Sequence, residues 1–125
     1  MGKKTDNHLE IGKCPVRNVL HRFGDKWSIL VILTLNDEGI MRFNQLQKAI
    51  GDVSQKSLTS TLRTLEADGY VSREIFPVVP PKVEYQLTPL GNGLVPHFQD
   101  LNGWAKENFS KILKSRNRYA TQNAY

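Results

Sequence analysis

Residues 54–82, SQKSLTSTLRTLEADGYVSREIFPVVPPK, predict a helix that is followed by a β-hairpin. Ser54 is a residue type that caps helix N-termini. Leu58, Leu62 and Leu65 recur at i, i+4 and i+7, so they share one buried helical face. A glycine follows the last turn, and glycine at this position commonly ends a helix.

The opposite face of this helix is polar. At about 100° per residue, the side chains that face away from the leucines all carry hydrogen-bond donors or acceptors. Such groups suit the edges of bases and the oxygens of phosphates. They are Ser54 at the cap and Gln55, Lys56, Thr59, Ser60 and Arg63. An ordinary solvated helix shows the same pattern, so the helix alone leaves both interpretations open.

Residues 70–76 and 83–87 alternate between apolar and polar side chains, which is typical of paired strands. Three prolines in the connecting segment lack a backbone donor and predict a stiff loop. We expect Lys82 at the tip of this loop and Arg73 in the strand before it. The hairpin can therefore lay cations along a phosphate backbone, although a plain surface hairpin is the alternative.

The residues before this segment predict three further helices. The first runs from Pro15 to about residue 23, with proline at the first helical position and an apolar stripe. Asp25 can cap a second helix through residue 35, whose run WSILVILTL indicates the core helix. An extended piece at 40–42 leads into a third helix at 43–50. This third helix and the polar-faced helix, joined by a tight turn, match a helix-turn-helix.

The C-terminal part predicts a long helix that restarts at Thr88 and Pro89. Gly91, Gly93 and Pro96 predict irregularity near 91–97. From 97 to about 113 the apolar side chains form a stripe, which we interpret as a dimer interface because the earlier helices already supply a core. Together with two residues of the first helix, the predicted interface comprises Val16, Leu20, Phe98, Leu101, Trp104, Phe109 and Ile112.

The fold predicted from these elements is mainly α with a small β-hairpin, a winged helix-turn-helix whose N- and C-terminal helices form a dimer interface. Residues 1–13 are expected to form a flexible arm, residues 14–113 the single domain, and residues 114–125 a polar, mobile tail. With 125 residues and 39% hydrophobic content, the chain can bury one core.

Charge and hydropathy narrow the range of partners. Seventeen Lys and Arg against twelve Asp and Glu give a net charge of +5, which favours a polyanionic partner such as nucleic acid. The longest apolar run, residues 29–33, is far shorter than the roughly 20 residues that cross a bilayer. The N-terminus lacks the apolar region of a signal peptide, so the expected location is cytoplasmic, with no membrane contact.

Cys14 is the only cysteine, and it directly precedes the proline that begins the first helix. Unpaired N–H groups and the helix dipole favour a thiolate there, and Lys13 and Arg17 add positive charge. This position predicts a thiol that reacts with oxidants or electrophiles faster than a buried one. The competing interpretation is a small, inert hydrophobic residue. An intrachain disulfide is excluded because there is no second thiol.

Catalytic and metal-binding patterns are weak. His8, His21 and His97 lie far apart without Cys, Asp or Glu at ligand spacing, so we expect no metal site. His21 lies two helical turns from Cys14 and no oxyanion-type loop accompanies the pair, so a nucleophile and base are not indicated. We predict no catalytic residues, no cofactor and no enzymatic activity.

The chain resembles the HxlR-type helix-turn-helix regulators, a bacterial branch of the winged-helix proteins related to the MarR-type group. The resemblance covers residues 10 to 110 approximately, and the joint occurrence of the motifs is what makes it specific. The matching phrases are CP at 14–15, GDKWSILVILTL at 24–35, RFNQLQKAI at 42–50, LEADGYVSR at 65–73 and VPPKVEYQLTPLG at 79–91, with Trp104.

This resemblance implies a homodimer that controls transcription, often of a neighbouring gene. It implies recognition helices in successive major grooves of double-stranded DNA and wings along the flanking phosphates or minor groove. Many such proteins sense quinones, aldehydes or oxidants through the cysteine before the first helix, a role that carries over to Cys14. Some members close an intersubunit disulfide with a second cysteine, which this chain lacks, so adduct formation or a mixed disulfide is the favoured chemistry.

We therefore predict a sequence-specific regulator, a repressor, that reads an inverted-repeat operator as a homodimer. Arg42, Arg73 and Lys82 are expected to hold phosphates, while the polar face of the fourth helix reads bases. Three alternatives stay open at this point. They are a regulator that answers a small molecule at the dimer interface, a DNA binder without sequence preference, and a winged helix used as a protein-interaction module.

Overall fold

The computed structural model describes residues 14–123, which form five helices and one two-stranded antiparallel sheet. The element order is that of a helix-turn-helix followed by a hairpin and a long final helix. In chain order the elements are α1 (Pro15–Arg22), α2 (Ser28–Glu38), α3 (Phe43–Ile50), α4 (Gln55–Ala67), β1 (Val71–Phe76), β2 (Lys82–Leu87) and α5 (Pro89–Gln122). The predicted fold class, mainly α with a small β-hairpin, is confirmed, and the dimer interface stays a prediction.

The local signals of α4 act as the sequence predicts. The Ser54 hydroxyl accepts a hydrogen bond of 3.0 Å from the Ser57 backbone N–H, which caps the helix. The three leucines at positions 58, 62 and 65 are buried in the core. Gly69 adopts φ +84°, a conformation that glycine reaches without steric cost, and so turns the chain from α4 into β1.

The hairpin pairs Val71 with Leu87 at its base and Phe76 with Lys82 at its end. The backbones of Met41 and Tyr85 exchange two hydrogen bonds of 3.0 and 2.8 Å. The predicted extended piece before α3 is therefore confirmed as a bridge to β2. This bridge ties the hairpin to the start of α3 and so sets the hairpin beside the helix-turn-helix.

Lys82 does not lie at the tip of the loop, as the sequence predicted, but begins β2. Its Nζ lies 4.9 Å from the centre of the Phe76 ring and 3.3 Å from a carboxylate oxygen of Glu84. An aromatic face and a carboxylate both stabilise a cation, so the side chain folds back onto the hairpin. The loop itself, residues 77–81, is proline-rich and contains the two exposed valines Val78 and Val79.

The second helix begins later than predicted. Asp25 does not cap it, because α2 begins at Ser28 with Trp27 at the N-cap position. The Asp25 carboxylate instead accepts hydrogen bonds from the Trp27 backbone N–H at 3.3 Å and from the Thr61 hydroxyl at 3.4 Å. It therefore joins the α1–α2 turn to α4. The helix also runs three residues past the predicted end and stops before Gly39, which has φ +82°.

The predicted irregularity near 91–97 is wrong, because α5 continues through Pro96. Gly91 and Val95 are buried against the rest of the domain, so tertiary packing holds this part in a helix despite the missing backbone donor. The predicted helix end near residue 113 is also wrong. Residues 114–122 are mostly polar but contain no glycine or proline. Polar side chains leave a helix exposed to solvent, but they do not terminate it.

The core lies between α2, α3, α4, the hairpin and the first half of α5. Its largest fully buried side chains come mainly from α2 and α4 and include Ile32, Leu35, Leu46, Leu58 and Leu62. Phe23 closes the end of α1 and packs against Tyr70 and Phe98, with ring centres 5.2 and 5.1 Å apart. The core therefore fixes the back of α4 and leaves its polar face outward.

Candidate DNA-binding interface

The outward face of α4 forms one continuous polar surface. Gln55, Lys56, Ser60 and Arg63 are exposed, and Thr59 lies half-buried between them. These five residues and Thr64 line an open groove of about 650 Å³. The structure therefore brings together the five α4 side chains that the sequence singled out. Their donors and acceptors can reach a macromolecule without any displacement of the core.

Arg73 lies in β1, where the hairpin, the predicted wing, meets α4. Its Nε is 3.2 Å from one carboxylate oxygen of Glu66 and 3.3 Å from the other. Arg63, Glu66, Arg73 and Tyr85 also line a cavity of about 220 Å³ between α4 and the hairpin. Burial raises the pKa of the Tyr85 phenol above its usual value, although the nearby cations Arg73 and Arg63 act in the opposite direction. Two of the predicted cationic residues therefore share one site.

The other predicted contacts lie apart from this cavity. Arg42 is exposed at the start of α3, where its backbone N–H donates to the side chain of Gln45 at 2.9 Å. Ser54 uses its hydroxyl oxygen to cap α4. Lys82 lies on the hairpin and is paired with Glu84. The cations predicted to hold phosphates are thus distributed over the N-cap of α3 and both strands.

Cys14 occupies the N-cap position of α1, as the sequence predicts. Its Sγ accepts a hydrogen bond from the Arg17 backbone N–H at 3.4 Å and so caps the helix. The residue is only 2% exposed. The thiol is therefore buried, as the competing interpretation of a small hydrophobic residue expects. Its reactivity with oxidants or electrophiles stays a prediction.

An ion pair that the sequence analysis did not identify joins α1 to the end of α4. The Arg22 guanidinium donates from Nε and Nη2 to the two carboxylate oxygens of Asp68. Glu66, which contacts Arg73, was also missed. No local pattern identifies either pair, because one spans 46 residues and the other connects a helix to a strand. Only the position of Glu66, one turn after Arg63, hinted that it lies near the polar face.

The predicted dimer residues are mostly exposed. Leu20 is 64% exposed on α1, and Leu101, Trp104 and Phe109 on α5 are each more than half exposed. Phe98 differs, because it is half-buried and packs edge-on against Phe23 within the same chain. A row of large apolar side chains on two helices is unusual for a surface in contact with water.

Two further properties concern the described residues as a whole. Between residues 14 and 123 no group of three His, Cys, Asp or Glu side chains could hold a metal ion. Over the same range, the helices lack the combination of length and hydropathy that a bilayer crossing requires.

Comparison with known proteins identifies the family. The model of the HxlR-like helix-turn-helix family matches residues 22–113. The uncharacterized HTH-type transcriptional regulator YtfH of Escherichia coli K12 is 39% identical over 115 residues, which cover 92% of this chain and 90% of that protein.

Solved structures agree with this assignment. YtfH of Salmonella typhimurium, named as a transcriptional regulator, superposes with a TM-score of 0.74 at 40% identity, covering 85% of this chain and 94% of that one. The redox regulator HypR in its reduced form gives a TM-score of 0.73 at 40% identity, covering 81% and 98%. This chain therefore belongs to the HxlR-like helix-turn-helix family and is a DNA-binding transcriptional regulator rather than an enzyme.

Proposed function

We propose that this protein represses transcription as a homodimer that binds an inverted repeat in double-stranded DNA. The observation that carries the proposal is the open groove on α4, which is lined by the polar residues Gln55, Lys56, Thr59, Ser60 and Arg63. A helix of 13 residues with such a face fits the major groove. Arg63 or Lys56 reads guanine and Gln55 reads adenine, and each good pair contributes about 1–3 kcal/mol of discrimination.

Phosphate contacts come from both sides of α4. Arg42 extends from the start of α3, and Arg73 extends from β1 beside the groove. Lys82 contributes a weaker contact, because Glu84 and the Phe76 ring already hold its ammonium group. Such contacts set orientation and affinity without reading sequence, and they make binding dependent on salt.

Two copies of the chain associate through the exposed apolar residues of α1 and α5. Val16 and Leu20 on α1 and Leu101, Trp104 and Phe109 on α5 support this proposal, since each is more than half exposed. A symmetric dimer would present its two α4 helices on the same face of the dimer. The two helices then fit inverted half-sites about one helical turn of DNA apart, which share the two-fold symmetry of the dimer. The spacing of the recognition helices therefore depends on how α1 and α5 pack.

The first experiment measures binding of the reduced protein to labelled DNA from beside its own gene, with excess random duplex, at two salt concentrations. Preferential binding by about 10³ or more supports a sequence-specific regulator. Equal affinity for both duplexes contradicts sequence-specific control of the adjacent gene. Absence of binding to either duplex would indicate that the α4 surface binds a protein instead. DNA protection should then show an inverted repeat.

Matched variants locate the binding surface. The Arg63→Ala variant should lose about 5- to 150-fold of the discrimination against wrong bases at one base pair of each half-site. Lys106→Ala removes the same charge from an exposed position on α5 and should leave discrimination unchanged. Equal effects of the two variants would show that only net charge matters and would contradict readout by α4.

We further propose that Cys14 makes DNA binding sensitive to oxidants. Its place at the N-cap of α1 supports this proposal, and so does the similarity to HypR, which is described as a redox regulator. In its thiolate form Cys14 attacks the terminal oxygen of an organic hydroperoxide and breaks the O–O bond. Cys14 becomes a sulfenic acid, and the alkoxide that leaves takes a proton from water to give an alcohol. A small thiol then condenses with the sulfenic acid, and the products are a mixed disulfide and water.

The consequence of such modification is mechanical. Cys14 is 2% exposed, so an added group cannot fit without moving the start of α1. The modification also alters the Sγ that accepts the hydrogen bond from the Arg17 backbone N–H. Because α1 carries part of the dimer surface, its movement changes the spacing of the two α4 helices.

Treatment with a peroxide and a small thiol tests this role. The treated protein should lose affinity for its operator and regain it after reduction, and mass spectrometry should find the thiol adduct on Cys14. Cys14→Ser should bind the operator as the reduced protein does and should not respond. If Cys14→Ser lost operator affinity as fully as the wild type after this treatment, the sensor role of Cys14 would be wrong. A regulator that binds a small molecule would then be favoured.

A further inference from the structure

Glu66 is a carboxylate beside the proposed DNA-binding surface, and it contacts the guanidinium of Arg73. Both of its oxygens face Nε of Arg73, at 3.2 and 3.3 Å. Glu66 lies in the last turn of α4 and Arg73 lies in β1, so the contact joins the recognition helix to the wing. Neither residue is deeply buried, since their side chains are 35% and 42% exposed.

This contact leaves the terminal nitrogens of Arg73 available. A guanidinium has five N–H donors, and Glu66 uses only the one on Nε. Within residues 14–123, Nη1 and Nη2 of Arg73 make no hydrogen bond. Those two nitrogens form one of the edges of the guanidinium that can bind a phosphate with two parallel hydrogen bonds.

The surroundings restrict where this side can point. Arg73 and Glu66 line the same 220 Å³ cavity as Arg63 and Tyr85, and Arg63 also lines the open groove of α4. The Arg73 guanidinium therefore lies next to the surface on which DNA would rest. The side chain of a free arginine samples many rotamers, and a contact that holds Nε removes much of this freedom before binding.

We propose that Glu66 is a positioning residue for DNA binding, which holds Nε of Arg73 so that its terminal nitrogens meet a backbone phosphate beside α4. This inference rests on the proposed function, since it assumes that DNA lies on the polar groove. It assigns to an acidic residue a favourable role at a surface where simple charge repulsion predicts an unfavourable one.

The two effects of Glu66 have opposite signs, which makes the inference testable. Coulomb repulsion alone predicts that removal of a negative charge near DNA strengthens binding. Positioning predicts that the same change weakens binding, because Arg73 then loses its orientation. Glu74→Gln supplies the charge control, since Glu74 is the exposed neighbour of Arg73 on β1.

The experiment measures the affinity of the full chain for a random duplex over a series of salt concentrations. Glu66→Gln should weaken binding about 3- to 10-fold at low salt, the cost of ordering one long side chain. It should also make the slope of log affinity against log salt shallower by about 0.9, as the loss of one phosphate contact requires. Glu74→Gln should bind as tightly as the wild type or more tightly, with no shallower slope.

A double-mutant cycle with Arg73→Ala identifies the partner. Arg73→Ala alone should weaken binding and make the slope shallower to the same extent, and Glu66→Gln should add no further loss in that background. Tighter binding by Glu66→Gln in the wild-type background would overturn the inference and assign Glu66 as a repulsive charge. Arg63→Ala and Lys106→Ala, measured alongside, separate this failure from one of the proposed function, because Arg63→Ala should weaken binding more than Lys106→Ala only if DNA occupies the α4 groove.

Discussion

Arg22 binds both carboxylate oxygens of Asp68, with Nη2 3.0 Å from Oδ1 and Nε donating to Oδ2. The hydrogen bond to Asp68 and its negative charge raise the pKa of Arg22 above its usual value. Asp68 is the C-cap of α4, where the helix dipole is unfavourable for an anion. The guanidinium compensates for that charge and fixes the end of α1, the helix that Cys14 caps, against α4.

Removal of this pair should destabilise the protein in a salt-dependent manner. Asp68→Asn should lower the midpoint of thermal unfolding at low ionic strength, and the difference should narrow near about 1 M salt because ions screen exposed charges. Asp37→Asn is the matched control, since Asp37 is an exposed carboxylate in the last turn of α2. That change should be neutral or stabilising. Equal behaviour of the two variants would show that the pair contributes nothing to stability.

Two glycines of α5 should respond to alanine in opposite directions. A Cβ at Gly91 would lie 2.1 Å from the Tyr70 carbonyl oxygen, so Gly91→Ala forces α5 away from the α4–β1 turn. We expect a loss of about 1–3 kcal/mol in the free energy of unfolding. No atom lies within 4 Å of a Cβ at Gly93, and Gly93→Ala should add about 0.5–1 kcal/mol through helix propensity. Urea denaturation of both variants measures these values.

A charge in the apolar stripe of α5 should separate the proposed dimer. Trp104→Glu places a carboxylate at a 57% exposed position that an interface would bury, so the measured mass should fall to that of one chain, 14.2 kDa. Sedimentation equilibrium measures this mass. Gln99→Glu adds the same charge at an exposed polar position of the helix, and the measured mass should remain that of a dimer. A wild-type mass of 14.2 kDa would instead show that α5 is not an interface.

Tyr85 should make the stability fall at alkaline pH. Burial raises its folded pKa above the usual 10.0, so the folded state favours the neutral phenol. The corresponding stability is fully present below about pH 10 and is lost as the pH rises through the folded pKa. The unfolding midpoint of the wild type should therefore decrease above about pH 10 more steeply than that of Tyr85→Phe. Parallel curves for the two proteins would contradict the buried environment of the phenol.

Local signals accounted for much of the secondary structure. The cap at Ser54, the proline at position 15 and the glycine at position 69 act through neighbouring residues, and each does so as predicted. The leucine spacing of α4 identified the buried face and therefore the polar one. The same kind of signal failed at Asp25 and Pro96, because Asp25 contacts Thr61 and the surroundings of Pro96 pack against the core.

By itself the sequence determined the order of the elements, the face of α4 that is buried and the place of Cys14 at a helix start. These depend on residue type and periodicity within a few residues of chain. Only the tertiary structure decided that Arg22 binds Asp68, that Glu66 holds Arg73, that Lys82 folds onto Phe76, and that Phe98 packs on Phe23. The physical reason is that these contacts form between separate elements, whose relative positions are set by the burial of the common core.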